Sequence, residues 1–362
     1  MKSFILVAMA ALAAQASAPA TLKDAFKGAF YIGVAINTAQ ASADKDVDLI
    51  TTQFNSVTDE NDLKWEKIHP KPDQYNFGPA DKYVDYGEKH GMYIVGHCLI
   101  WHSQTPSWVF HDADGKLLTR DALLARMRDH IHTIVTRYKG RIQDWDVVNE
   151  ALDEDGSLRK SLWLQIIGPD YVQKAFEYAH EADPAATLNY NDYSLENEPK
   201  LKGALKLISD LKAAGVPVAV VGIQGHDHMD WPSFEAEDHA IAALGALGVK
   251  VAITELDITV LPQPGPHTAD VSLSIQARKE LNPWPDGLPE AQQKALADRY
   301  AGLFAVYMKH KDIVNRVTFW GLTDASSWLN NWPVHGRTNY PLLFDRQGKP
   351  KLAFEAVIAT AK

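Results

Sequence analysis

The chain has 362 residues, 46% hydrophobic and 23% charged, with a formal net charge of −10 at pH 7. Aromatics at 10% and the lack of any long polar tract exclude a disordered chain, and scattered Gly and Pro without a heptad exclude collagen-like and coiled-coil rods. The acidic balance argues against nucleic acid or an anionic membrane surface as partner, and a single cysteine, Cys98, excludes an intrachain disulfide, a zinc finger and an iron–sulfur cluster.

Residues 1–18 read as a secretory signal. Lys2 opens it, residues 4–14 form an unbroken apolar run, and Ala16-Ser17-Ala18 is a small-residue cleavage pattern. The run is shorter than the ~20 residues that span a bilayer. Export to the periplasm or the exterior is therefore expected, with no membrane attachment after cleavage.

Eight runs rich in β-branched or aromatic residues follow, at 31–36, 54–58, 93–96, 144–148, 187–190, 218–223, 251–254 and 316–320. Amphipathic stretches separate them, most plainly at 120–139. There Leu124, Met127, Ile131, Ile134, Val135 and Tyr138 recur at three and four, Thr119 suits an N-cap and Gly140 a C′ position. Asp183-Pro184 closes the next helix and Ala214-Gly215-Val216-Pro217 the one after it. Strand alternating with helix eight times predicts an α/β fold of parallel βαβ units closed as a (β/α)8 TIM barrel. No G-x-G-x-x-G follows the first strand, against a dinucleotide-binding sheet. No linker divides the chain, so a single domain over 19–362 is expected. A Pro-rich loop at 261–289 is long enough to be read as functional.

In such barrels the C-terminal strand ends form the active face. Just past the second run come Asp59, Glu60, Asn61 and Lys64; past the third, His97, Trp101, His102 and Gln104; past the fourth, Asn149 and Glu150. The fifth leads to Asn191, Asp192 and Tyr193, the sixth to Gln224 and His226, the seventh to Glu255 and Asp257, and the eighth to Trp320 and Trp328. Strand ends four and seven face each other across an eight-stranded mouth. Glu150 and Glu255 thus form a carboxylate pair of the kind glycoside hydrolysis needs, one to protonate the leaving oxygen and one to meet an oxocarbenium-like centre. Indoles pack on the C–H faces of sugar rings, and Trp101, Trp108, Trp320, Trp328 and Trp332 enrich these loops, whereas Trp145 and Trp163 read as core.

Six segments resemble the retaining xylanases of glycoside hydrolase family 10, in family order and over nearly all of the mature chain. They are Glu60-Asn61-Asp62-Leu63-Lys64-Trp65, Gly96-His97-Cys98-Leu99-Ile100-Trp101-His102-Ser103-Gln104, Trp145-Asp146-Val147-Val148-Asn149-Glu150, Gly222-Ile223-Gln224-Gly225-His226, Ile253-Thr254-Glu255-Leu256-Asp257 and Phe319-Trp320-Gly321. The resemblance implies an endo-1,4-β-xylanase acting on xylan and xylo-oligosaccharides as a monomer, with no cofactor and no metal. It implies Glu150 as acid/base and Glu255 as nucleophile, with Asn149 on the hydroxyl beside the anomeric carbon and His226, backed by Asp257, on Glu255. Glu60, Asn61 and Lys64 would bind the sugar two units toward the non-reducing end. His97, Trp101, Gln104, Gln224, Trp320 and Trp328 would enclose the sugar at the cleavage point, and Asn191 and Tyr193 would face the leaving group. Retention requires carboxyls ~5–5.5 Å apart and an acid whose pKa sits at about 6–7. Trp284 in the 261–289 loop is a candidate for a distal subsite, and Cys98 reads as a small apolar filler.

Two readings from other classes compete. His97, His102, His226 and His228 could mark a metal-dependent hydrolase, although no H-E-x-x-H occurs. A silent sugar-binding barrel would use both glutamates as hydroxyl acceptors. Within the enzyme reading, β-1,4-glucan is the alternative substrate.

Overall fold

The computed structural model describes residues 21–362 apart from 264, 266 and 267; the expected signal at 1–18 lies outside the described residues. Among the described residues nine strands occur: β1 (Tyr31–Ile36), β2 (Ser56–Asp59), β3 (Tyr93–Trp101), β4 (Asp144–Asn149), β5 (Thr187–Asp192), β6 (Val220–Ile223), β7 (His226–His228), β8 (Lys250–Thr259) and β9 (Val314–Phe319). All pairings are parallel. The sheet runs β6-β5-β4-β3-β2-β1-β9-β8, and β6 also pairs with β8, which closes an eight-stranded barrel. The expected (β/α)8 TIM barrel is the fold, in one domain with one hydrophobic core. The ninth strand, β7, is a short extra piece that pairs only with the far end of β8, His226 opposite Asp257.

Strand bounds differ from expectation where the strands feed the mouth. β3 runs five residues past Gly96, to Trp101, and β8 five past Thr254, to Thr259. Register shifts fall between His97 and Ile100 in β3, between Asp146 and Val148 in β4 and between Ile253 and Leu256 in β8. Irregularities of this kind re-aim side chains at barrel rims. At the other end, β2 starts at Ser56 because Phe54 still bonds back to Ile50 in the helix before it.

The helix expected at 120–139 spans Arg120–Arg137, and Thr119 Oγ1 caps Ala122 N–H. Its buried face is Leu123, Met127, His130, Ile131, Ile134 and Val135. Leu124, expected on that face, is half-buried, because the helix is rotated so that Leu123 points inward. Trp145 and Trp163 are core residues as expected. Trp145 crosses the barrel wall directly over Gly96, where a Cβ would sit 2.2 Å from Trp145 Cε3.

Candidate active site

At the C-terminal mouth, residues in or just past the ends of β2, β3, β4, β6, β7, β8 and β9 line one cleft of about 670 Å³. Glu60, Asn61, Lys64, His97, Trp101, Gln104, Asn149, Glu150, Gln224, His226, Glu255, Trp320 and Trp328 all lie on its wall, joined by Ala269 and Val271 of the long loop. Asn191, Tyr193 and Asp257 stand behind that wall.

Glu150 follows directly on β4 and takes φ of +57°, a left-handed conformation that costs a residue with a Cβ of order 1–3 kcal/mol. Its N–H donates to Asn191 O at 2.8 Å and its carbonyl accepts from Arg159 Nε at 3.1 Å, which hold the turn. Oε2 accepts from Trp101 Nε1 at 2.8 Å and Oε1 from Gln224 Nε2 at 3.1 Å. Burial, then the Asp192 charge, push its carboxyl up to about 7, against those two neutral donors, while Glu255 adds to the rise.

Glu255 has the opposite surroundings. Oε1 accepts from Asn191 Nδ2 at 2.8 Å, and Oε2 lies 3.2 Å from His226 Nε2. Burial alone would raise this carboxyl; the His226 hydrogen bond, helped by the charges of His226, His97 and Lys64, outweighs it and leaves the group below the usual Glu value. His226 Nδ1 lies 3.0 Å from Asp257 Oδ1. Burial disfavours the imidazolium, but Asp257 and Glu255 lift His226 to about 10, so it carries a proton between two carboxylates. Asp257 Oδ2 accepts in turn from Trp328 Nε1 at 2.7 Å, which ties the Glu255 network to the indole wall.

Asn191, expected to face a leaving group, is fully buried. It is the bracket of the site: Nδ2 also donates to Asn149 Oδ1 at 2.9 Å, and Oδ1 accepts from Thr254 Oγ1 at 2.6 Å. Gly222 leaves the room for it, since a Cβ there would lie 2.2 Å from Asn191 Oδ1. Tyr193 is buried too, its hydroxyl accepting from Arg159 Nη2 at 2.7 Å.

The wall itself is aromatic and cationic. Lys64 Nζ stands 5.1 Å from the Trp101 ring and 6.0 Å from that of Trp320, and donates to Asn61 Oδ1 at 3.2 Å. Asn37 Nδ2 donates to Glu60 at 3.3 Å. The edges of His97 and His226 meet the Trp320 ring. Trp332 stacks on Trp328 at 4.6 Å, so it backs the wall. Trp108 belongs elsewhere: it bonds Pro70 O and packs on Trp65 and His69. Trp284 packs against the hydrophobic core and does not line the cleft. Cys98 is buried, and burial pushes its thiol up, away from reactivity.

His97 pairs with Asp146 at 2.8 Å, His226 with two carboxylates, and among the described residues no group of His, Cys, Asp and Glu could hold a metal ion. Among the described residues no helix is long and apolar enough to cross a membrane. Sequence reasoning passed over Arg159 and Lys200. Neither sits in a motif; the one available signal was Lys200 in the first turn of a helix, where a cation opposes the dipole.

Two carboxylates in one cleft, one kept protonated near neutrality and one kept ionised, are what cleavage of a glycosidic bond demands, and on this barrel they define a glycoside hydrolase. Residues 21–360 match the family model described as Glycosyl hydrolase family 10, and the chain belongs to that family. It is 46% identical over 350 residues to endo-1,4-beta-xylanase A of Xylanibacter ruminicola, covering 96% of this chain and 95% of that one. It superposes on a GH10 endoxylanase retrieved from a sugarcane soil metagenome with a TM-score of 0.91 at 46% identity, over 93% of this chain and 99% of that one. A mutant solved in complex with xylotriose is 39% identical at a TM-score of 0.86, covering 94% and 99% of the two chains.

Proposed function

We propose that this hydrolase is a retaining endo-1,4-β-xylanase that cleaves internal bonds of xylan by double displacement. The observation that carries the reading is the split between the two buried glutamates, Glu150 pushed up to about 7 and Glu255 held below its ordinary value. Similarity to proteins named endo-1,4-beta-xylanase, and to one solved with xylotriose, supports the substrate.

Glu255, ionised by His226, attacks the anomeric carbon while Glu150 gives its proton to the departing glycosidic oxygen. The covalent ester neutralises Glu255, which removes a negative charge from beside Glu150 and lowers its proton affinity. Glu150 then takes a proton from the water that releases the sugar with its configuration retained. Asn149 contacts the hydroxyl beside the reacting carbon, Glu60, Asn61 and Lys64 hold the sugar two units away, and His97, Trp101, Gln104, Gln224, Trp320 and Trp328 enclose the sugar being cleaved. Asn191 and Tyr193 act from behind, through Glu255 and Glu150. Residues 1–18 direct export in this reading, and 19–362 work as a monomeric catalytic barrel outside the cytoplasm.

Time-resolved proton NMR tests it, with a β-1,4-xylo-oligosaccharide and the matching cello-oligosaccharide in parallel. The β-anomer of the xylose product should grow first, before mutarotation. An α-anomer first would overturn retention and the role of Glu255; faster cleavage of the glucose chain would overturn the substrate.

A further inference from the structure

Lys200 sits where a lysine is least at home. It occupies the first turn of the Glu198–Ala213 helix, and its side chain is fully buried, a combination that demands a compensating partner. Its Nζ lies 3.1 Å from Asp192 Oδ1 and 3.6 Å from Glu154 Oε1. The same Nζ stands 3.5 Å from the centroid of the Tyr193 ring. Both inner partners lead to Glu150. Asp192 Oδ2 accepts the Tyr190 hydroxyl at 2.5 Å and Leu152 N–H at 3.3 Å, and Oδ1 accepts Tyr193 N–H at 2.9 Å. Three donors and an ammonium suit a carboxylate. Tyr193 receives Arg159 Nη2, and Arg159 Nε donates to the Glu150 carbonyl.

We propose that Lys200 is a positioning residue for proton transfer, balancing the Asp192 charge beneath Glu150 and bracing the Glu150 backbone through Tyr193 and Arg159. It lies off the cleft wall. The inference rests on the reading of Glu150 as the acid/base. After burial itself, Asp192 does most to hold the Glu150 proton, so the ammonium that offsets Asp192 tunes that proton.

Other charges face this pair and Glu150. Glu154 and Arg159 come from the loop after β4, Tyr171 from the Tyr171–Ala182 helix, and Glu196 from the loop after β5. On the Glu150 side, Glu255 comes from β8 with His226 behind it, and His102 Nδ1 lies 3.8 Å away. Burial holds His102 down at about 4, so it stays neutral across the basic limb.

The test is kcat/KM against pH for the full chain on a xylo-oligosaccharide. Lys200→Met should move the basic limb up by on the order of one pH unit, because Asp192 is left unopposed, and lower kcat about 10-fold with KM nearly unchanged. Asp192→Asn leaves the ammonium alone and should move the limb down; Lys200→Arg should leave it in place. A folded Lys200→Met whose limb overlays the wild type would overturn the proposal. Should that variant not fold, a limb moved down in Asp192→Asn and unmoved in Lys200→Arg supports it, and an unmoved limb in Asp192→Asn overturns it. Glu150→Ala with azide and an aryl xyloside separates the two levels. Absence of a β-xylosyl azide sinks the acid/base reading; its formation beside an unresponsive limb sinks only the role of Lys200.

Discussion

The two ends of the barrel bury charge in different ways, and β4 carries both. At its start Asp144 is sealed in the barrel and meets Arg316 of β9 at 3.2 Å, a cation against an anion with no cleft nearby. One strand length away, Glu150 is equally buried but is offered neutral N–H groups, those of Trp101, Gln224 and Asn149. Burial comes first among the causes that raise both carboxyls, Asp144 to about 6 and Glu150 to about 7. Glu255, buried to the same degree, ends below its ordinary value because His226 is charged. Depth alone therefore does not assign a carboxyl its task; the kind of partner does.

The largest break in this comparison is Glu255→Ala, which should cut kcat by about 10⁴-fold or more. Azide should restore turnover as an α-xylosyl azide, seen by NMR, while the melting temperature changes little. At the closed end Arg316→Met should do the reverse, costing about 3–5 kcal/mol of stability in urea unfolding by leaving a buried carboxyl without its cation. The sign with pH follows from Asp144. Its folded value near 6 exceeds the unfolded one, about 3.9, so Asp144 costs stability as pH rises through that window. The variant should extend this cost to higher pH. Gly222→Ala is smaller: the Cβ displaces Asn191 and should raise the barrier by about 1–3 kcal/mol through kcat, measured with saturating substrate.

The smallest effect sharpens the comparison most. In the wild type kcat/KM should fall as pH rises through about 7, where Glu150 loses its proton, and fall again at low pH as Glu255 gains one. Trp101→Phe removes a donor that favours ionised Glu150, so the basic limb should move up by about half a pH unit. A limb that moved down would mean that the indole does not act through this hydrogen bond.

Much of this was legible in the chain. Eight β-rich runs marked the barrel strands because each fills one barrel position with branched side chains. Their mouth ends were hidden, since residues such as His97 to Trp101 continue as strand while carrying polar and aromatic groups chosen for the site. His226-Asp227-His228 has no strand signature and pairs only because β8 outruns its neighbour β6. The choice of Leu123 over Leu124 was settled by the neighbouring helices, which helical periodicity cannot resolve between adjacent residues. Thirteen cleft residues were readable from their place after strands. Lys200, Arg159 and the inward turn of Asn191 were not: Lys200 and Arg159 fold back on strand ends across irregular loops that carry no periodicity, and Asn191 meets Glu255 and Asn149 only once the barrel closes.

One feature of β8 bears on how this sequence can drift. Glu255 and Asp257 both meet His226 because they stand two apart on a strand, with Leu256 between them turned into the core. Substitutions elsewhere in the barrel can accumulate one at a time. A single residue gained or lost just before Glu255 would exchange inside for outside, sending a leucine toward the cleft and both acids into the hydrocarbon core. In lineages descended from this protein, that stretch should change letters but keep its length.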